Sequence, residues 1–171
     1  MIFYPKIYCN KITDITVELL EKNEIRGLAI DVDNTLIDYD RNLIEGIKPW
    51  MEDIKSHNVK CMILSNTNKY DKVKKIADTL NIPYIYFAKK PLKYGFKKAA
   101  KLLELPNEQI GVVGDQIFTD VLGANRCKMF SILVNPIAEK DIFITRVKRP
   151  LESKIIKAYI KNLEEQKKKE E

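Results

Sequence analysis

The chain has 171 residues, 45% apolar and 32% charged, a composition that suits one globular domain with a proper core rather than a disordered chain. Its 30 Lys and Arg against 24 Asp and Glu give +6, which favours anionic partners without specifying one. Cys9, Cys61 and Cys127 are odd in number and show no CxxC spacing, which argues against a disulfide frame or zinc site and for reduced thiols. The apolar start over residues 1–5 is too short for a signal peptide, and no run approaches the ~18 residues of a membrane span. The expectation is a soluble, cytoplasmic domain.

In chain order, Ile15, Leu19 and Leu20 form a helical stripe over 13–24, with Thr13 or Asp14 as N-cap. Residues 27–30 (Gly-Leu-Ala-Ile) are short and apolar and read as a buried first strand. Ile47, Trp50, Met51 and Ile54 then lie on one helix face, with Trp50 in the core and His57, the single histidine, solvated near the helix end. Residues 59–64 make a second strand, 69–80 a helix, and 84–87 a short third strand. A helix follows Pro91, carrying Phe96, Ala99, Ala100 and Leu103. Residues 110–113 form the fourth strand, a helix begins near Ile117 and closes around 123–126, and 130–134 form the fifth strand. Pro150 suits the first position of a last helix with Leu151, Ile155, Tyr159, Ile160 and Leu163 as its stripe. Five short strands alternating with helices predict right-handed βαβ units and a parallel α/β sheet, with one domain over 1–163 and a frayed, charged tail over 164–171.

A different polar group follows each strand. The first strand delivers Asp31-Val32-Asp33-Asn34-Thr35-Leu36, in which period-two geometry sends both carboxylates to one side. Two carboxylates held close repel by roughly 4 kcal/mol at an effective dielectric near 20, and a divalent cation is the usual agent that offsets this. Taken alone, the hexamer reads equally well as a turn rich in Asp, Asn and Thr. The second strand ends in Ser65-Asn66, which could also cap the next helix. The third connection carries Lys90, placed by Pro91 at a helix N-terminus where a bound anion would relieve an unfavourable dipole contact. The fourth ends in Gly114-Asp115, with Asp120 in the following turn. A parallel sheet brings these ends to one edge, where ligands bind.

Together they fit phosphoryl transfer, which needs an in-line nucleophile, a cation over the developing charge and donors to the equatorial oxygens. Asp31 takes the role of nucleophile and Asp33 that of acid, then base. Asp31, the Asp33 carbonyl and Asp115 are the expected Mg²⁺ ligands, with Asp120 orienting that shell or contributing to it. Ser65, the Asn66 N–H and Lys90 are the expected phosphate holders.

The ordered set Asp31-x-Asp33-x-Thr35, Ser65, Lys90-Pro91 and Gly114-Asp115-x-x-x-Thr119-Asp120 resembles the haloacid-dehalogenase (HAD) superfamily, subfamily IIIA. More narrowly, Asp33-Asn34-Thr35-Leu36, Ala88-Lys89-Lys90-Pro91, the 114–123 segment and Phe143-Ile144-Thr145-Arg146 are similar to YqeG-type HAD phosphatases over about residues 5–163. Thr67, where that family more often has Asn, is a small departure. The resemblance implies a HAD-like three-layer Rossmannoid fold, a phosphomonoesterase using Mg²⁺, and the same residue roles. Asp33 points to a phosphatase, because dehalogenases proper lack this second acid.

Many HAD phosphatases select substrate with an inserted cap. Here 34 positions separate Asp31 from Ser65 and 25 separate Ser65 from Lys90, spans already filled by helix and strand. An uncapped, open site favours a phosphate presented on a membrane, a protein or a nucleic acid. Ten Lys against two Asp over 69–101, and nine basic against five acidic residues from Arg146 onward, read either as solvated helix faces or as surfaces for an anionic membrane. The YqeG-type family is related to phosphatases that make phosphatidylglycerol, so phosphatidylglycerophosphate is the expected substrate, with peripheral contact at the inner face of the membrane. The competing expectation is a basic module for nucleic acid or another partner on a HAD scaffold, its affinity falling steeply with salt. A receiver domain would need Asp at position 65.

Overall fold

The computed structural model describes residues 1–38, 40–137 and 143–170, apart from the side chains of 143–149 and 167–170. In chain order it runs β1 (Ile7–Cys9), a 3₁₀ turn (Ile12–Asp14), α1 (Val17–Lys22), β2 (Gly27–Ile30), α2 (Ile47–Ser56), β3 (Lys60–Leu64), α3 (Tyr70–Leu80), β4 (Tyr84–Ile85) and α4 (Lys93–Leu103). The second half holds a 3₁₀ turn (Asn107–Gln109), β5 (Ile110–Gly114), a π-helical turn (Ile117–Val121), α5 (Leu122–Arg126), β6 (Phe130–Val134) and α6 (Phe143–Glu170). The sheet has the order β1-β6-β5-β2-β3-β4, and every neighbouring pair is parallel. It therefore has six strands rather than the expected five. The extra one, Ile-Tyr-Cys at the sheet edge, is too short to carry a periodic signal.

Alternation along the strands divides the core between two helical layers. Leu28, Ile30, Cys61 and Ile63 join Trp50, Ile54, Val73 and Ala77 of α2 and α3 on one face. Ala29, Met62, Leu64 and Val112 join Phe96, Ala99 and Ala124 of α4 and α5 on the other. Trp50 is core as expected, its indole Nε1–H donating to the Ile15 carbonyl at 2.8 Å.

Two helix starts and one apolar stripe differ from expectation. Thr16 is the N-cap of α1, its hydroxyl accepting from Leu19 N at 3.2 Å, rather than Thr13 or Asp14. Pro150 lies inside α6 instead of opening it, since a proline removes one backbone bond from a helix but does not have to start a new one. The buried side of α6 is Glu152 and Tyr159, with Ile155 and Ile156 packed on Ile117, Val121 and Leu133, whereas Leu151, Ile160 and Leu163 are exposed. This middle part of α6 therefore packs on the domain. The helix continues past 163 to Glu170 with residues 164–166 exposed; Glu171 and the side chains of Phe143-Ile144-Thr145-Arg146 lie outside the described residues.

Candidate active site

The parallel sheet puts the carboxyl ends of β2, β3 and β5 side by side, and the register aligns Ile30 with Ile63 and Val113. The residues that follow thus emerge together. Asp31, whose N–H bonds the Val113 carbonyl at 2.8 Å, is buried, as are Ser65, Lys90, Asp115 and Asp120. One carboxylate oxygen from each of Asp31, Asp115 and Asp120 lies within 4.8 Å of the other two.

Lys90 sits inside this acidic cluster. Its Nζ donates to Asp31 Oδ1 at 2.8 Å and to Asp120 Oδ1 at 2.6 Å. Burial alone would drive the ammonium toward neutrality, but the carboxylates of Asp120 and Asp31 outweigh it and raise the Lys90 pKa. Asp31 moves the other way from a usual salt-bridged acid. Burial pushes its carboxyl up from 3.8 to about 6, the nearby charges of Asp120 and Asp33 push in the same direction, and Lys90 only partly opposes them. Three buried carboxylates with one ammonium leave an excess of negative charge. Excess charge in an all-oxygen donor set is what a hard divalent cation relieves, so the residues fit such an ion.

Four further residues make contacts that the sequence does not announce. Pro91 is not the first residue of a helix, because α4 begins at Lys93 with Leu92 as its N-cap, and the two carboxylates, not a dipole conflict, account for Lys90. Asn66 clamps Lys90: its Nδ2 donates to the Lys90 carbonyl at 2.9 Å and its Oδ1 accepts from the Lys90 N–H at 2.6 Å. Ser65 does not cap α3, whose N-cap is Lys69. Its Oγ accepts from Thr67 N at 3.2 Å, which fixes the turn after β3. Asp33 stands apart from the buried carboxyl cluster, half exposed and ion-paired to Lys72 of α3. Thr35 Oγ1 is buried without a hydrogen-bond partner among the described residues, and a cavity of about 500 Å³ beside it is lined by Asn10, Lys11, Glu45 and Asn135.

Asp120 belongs to the carboxylate cluster itself. The π-helical turn carries it back under the end of β5, its Oδ2 accepting from Gln116 N at 3.2 Å and Thr119 Oγ1 at 3.3 Å. Gly114 makes room, because a Cβ there would overlap the Asp120 carboxyl group. Gly114→Ala is therefore expected to lower stability by about 1–3 kcal/mol and to weaken divalent-ion binding by about 10–100-fold. Chemical denaturation and ion titration check both, and unchanged ion affinity would show that Asp120 does not matter to that shell. Glu152 of α6 accepts from Phe118 N at 3.2 Å and ties the last helix to this turn, a contact with no local sequence signal.

The fold and the acidic cluster at its sheet edge suit a phosphatase, and the relatives of this chain bear out that class. The family model described as "Mitochondrial PGP phosphatase" matches residues 1–138, and the chain belongs to that family. It is 41% identical over 157 residues to "Probable phosphatase YqeG" of Bacillus subtilis (strain 168), covering 91% of each chain. It is 26% identical over 176 residues to "Phosphatidylglycerophosphate phosphatase 1, chloroplastic/mitochondrial" of Arabidopsis thaliana, matching 92% of this chain but only 48% of that protein. At the level of fold alone, it resembles a structure from Streptomyces avermitilis MA-4680 assigned to the HAD hydrolase family, at TM-score 0.52 and 17% identity, covering 68% of this chain and 75% of that one. No helix among the described residues is long and apolar enough to cross a membrane.

Proposed function

We propose that the chain removes the terminal phosphate of phosphatidylglycerophosphate, giving phosphatidylglycerol, through an aspartyl-phosphate on Asp31. The observation that carries the chemistry is the convergence of Asp31, Asp115, Asp120 and Lys90 in one buried cluster at the sheet edge. An Asp31 carboxylate oxygen attacks phosphorus as the bond to the substrate oxygen breaks, and Asp33 gives that oxygen its proton. Asp33, now ionised, takes a proton from water as the water oxygen attacks the aspartyl-phosphate, which releases inorganic phosphate and restores Asp31. Ser65 Oγ, the Asn66 N–H and the Lys90 ammonium hold the phosphoryl oxygens. Asp31 and Asp115, with the Asp33 carbonyl and with Asp120 in support, would hold Mg²⁺. When bound, that ion supplies positive charge opposite the phosphoryl oxygens.

The lipid substrate is supported by the family match, by the name of the Arabidopsis relative and by a site that no inserted domain covers among the described residues. Phosphate release from phosphatidylglycerophosphate in vesicles is expected to exceed that from soluble phosphomonoesters and phosphopeptides by at least about tenfold in kcat/KM, since binding remote from the reacting centre contributes to that ratio. Equal rates across the panel would remove the lipid and leave the phosphatase.

A further inference from the structure

At the β4 edge, next to the phosphate-holding residues, large apolar side chains point into solvent. Tyr94 is 66% exposed, Leu92 55% and Phe87 51%, with Tyr70 and Tyr86 exposed beside them. Phe87 is held with φ at 49°, in the left-handed region that a bulky residue rarely enters. Two backbone bonds pin the loop there, Phe87 N to the Thr67 carbonyl and Ala88 N to the Ser65 carbonyl, both 2.9 Å. The backbone thus tolerates an uncommon conformation at the residue that displays an aromatic ring, and the same bonds join the patch to Ser65. Lys90 lies three residues beyond Phe87.

Along the segment that carries most of this patch, the charge is of one sign. Residues 84–101 contain six lysines and no Asp or Glu. Lys90 is committed to Asp31 and Asp120, and the other five are exposed. Exposed aromatic and aliphatic side chains among lysines match the headgroup layer of an anionic bilayer, where rings sit at the interface and ammonium groups meet lipid phosphates. Stacked nucleobases fit less well, because they need open ring faces. Tyr70 instead packs edge-to-face against Tyr84 and Tyr86, at 6.1 and 5.3 Å between centroids, and Lys89 Nζ lies 5.0 Å over the Phe87 ring.

We infer that this rim, Phe87, Leu92 and Tyr94 with Lys89, Lys93 and Lys98, is the surface by which the protein docks on an anionic membrane, setting the open site against the lipid headgroups. The inference rests on the lipid-phosphatase reading but is tested apart from it. Flotation with vesicles of phosphatidylcholine, alone or with about 30% phosphatidylglycerol, measures docking without turnover. The wild-type protein is expected to float with the anionic vesicles and not with the neutral ones. The variant carrying Phe87→Ser, Leu92→Ser and Tyr94→Ser is expected to lose at least about tenfold in partitioning, and to hydrolyse a soluble aryl phosphate as wild type does. Should that variant fail to fold, Lys93→Glu with Lys98→Glu tests the same surface and is expected to abolish anionic-vesicle binding. A wild type that ignores anionic vesicles, a folded variant that still binds them fully, or tighter binding to a single-stranded oligonucleotide than to vesicles would overturn the inference. Vesicle binding by a wild type inert toward every phosphomonoester would instead sink the enzymatic reading and leave the docking surface in place.

Discussion

Replacing Asp31 with Asn is expected to abolish phosphatase activity and at the same time to make the metal-free protein more stable. The loss of turnover, at least about 10³-fold, follows from removing the proposed nucleophile of the reaction. The gain in stability follows from the electrostatics of the site. A carboxyl group raised from 3.8 to about 6 is costlier to ionise in the folded chain than in the unfolded one. Above pH 6 that difference destabilises the native state by up to about 3 kcal/mol, and the neutral amide removes it. Between those two values the native state binds more protons than the unfolded state, so this contribution to wild-type stability improves as pH falls from 6 toward 3.8. The advantage of Asp31→Asn in EDTA should therefore be largest above pH 6 and fade near pH 4. Adding Mg²⁺ at neutral pH should reverse the order, because an ion that binds only the native state stabilises wild type more. Thermal unfolding of both proteins, with and without the ion, reads all of this. An Asn variant less stable than wild type in EDTA at neutral pH would show that Asp31 is held by its partners rather than strained among them.

How much of this was legible in the sequence follows from where the signals are local. β2, β3 and β5 are short apolar runs that end abruptly in Asp31, Ser65 and Asp115, so both the strands and the edge at which they converge could be read directly. The ordered spacing of those residues with Lys90 carried the family, and the family match bears it out. What escaped depends on contacts far apart in the chain or on unusual backbone. β1 is visible only through its pairing with β6, and α6 runs through a proline that local preference reads as a boundary. The two bonds from Asn66 to Lys90 span 24 residues, and nothing near either residue announces them. Asp120 was underrated because an α-helical first turn explains an acidic residue by itself, whereas a π-helical turn delivers the carboxylate to the site. The exposed rings around Phe87 alternate and cluster like core residues in the sequence, and only their exposure marks them as a surface.

The opposite stability change is expected when the cation is removed and the acids are kept. Lys90→Met preserves the length and much of the shape of the side chain but leaves Asp31 and Asp120 without the ammonium that bridges them. Breaking a buried ion pair from one side costs about 3–5 kcal/mol, because an uncompensated charge stays behind. The metal-free variant should be destabilised by that order at neutral pH, with turnover reduced by about 10²–10³-fold through loss of the proposed phosphoryl-oxygen donor. The deficit has a sign in pH: protonation of the abandoned carboxylates relieves it, so it should shrink as the solution is made acidic through about pH 6, where Asp31 titrates even with Lys90 present. It also has a sign in metal, since with Lys90 gone no ammonium offsets the three carboxylates, and a divalent ion should raise the unfolding midpoint of Lys90→Met more than that of wild type. Lys90→Arg should not restore activity, because a planar guanidinium cannot occupy the compact position between Asp31 and Asp120 that the Asn66 clamp defines. A Lys90→Met protein as stable as wild type in EDTA, or one whose deficit stays constant from pH 7.5 to pH 5, would mean that the acidic cluster is screened by something other than this lysine, and the charge argument for a bound cation would lose its basis.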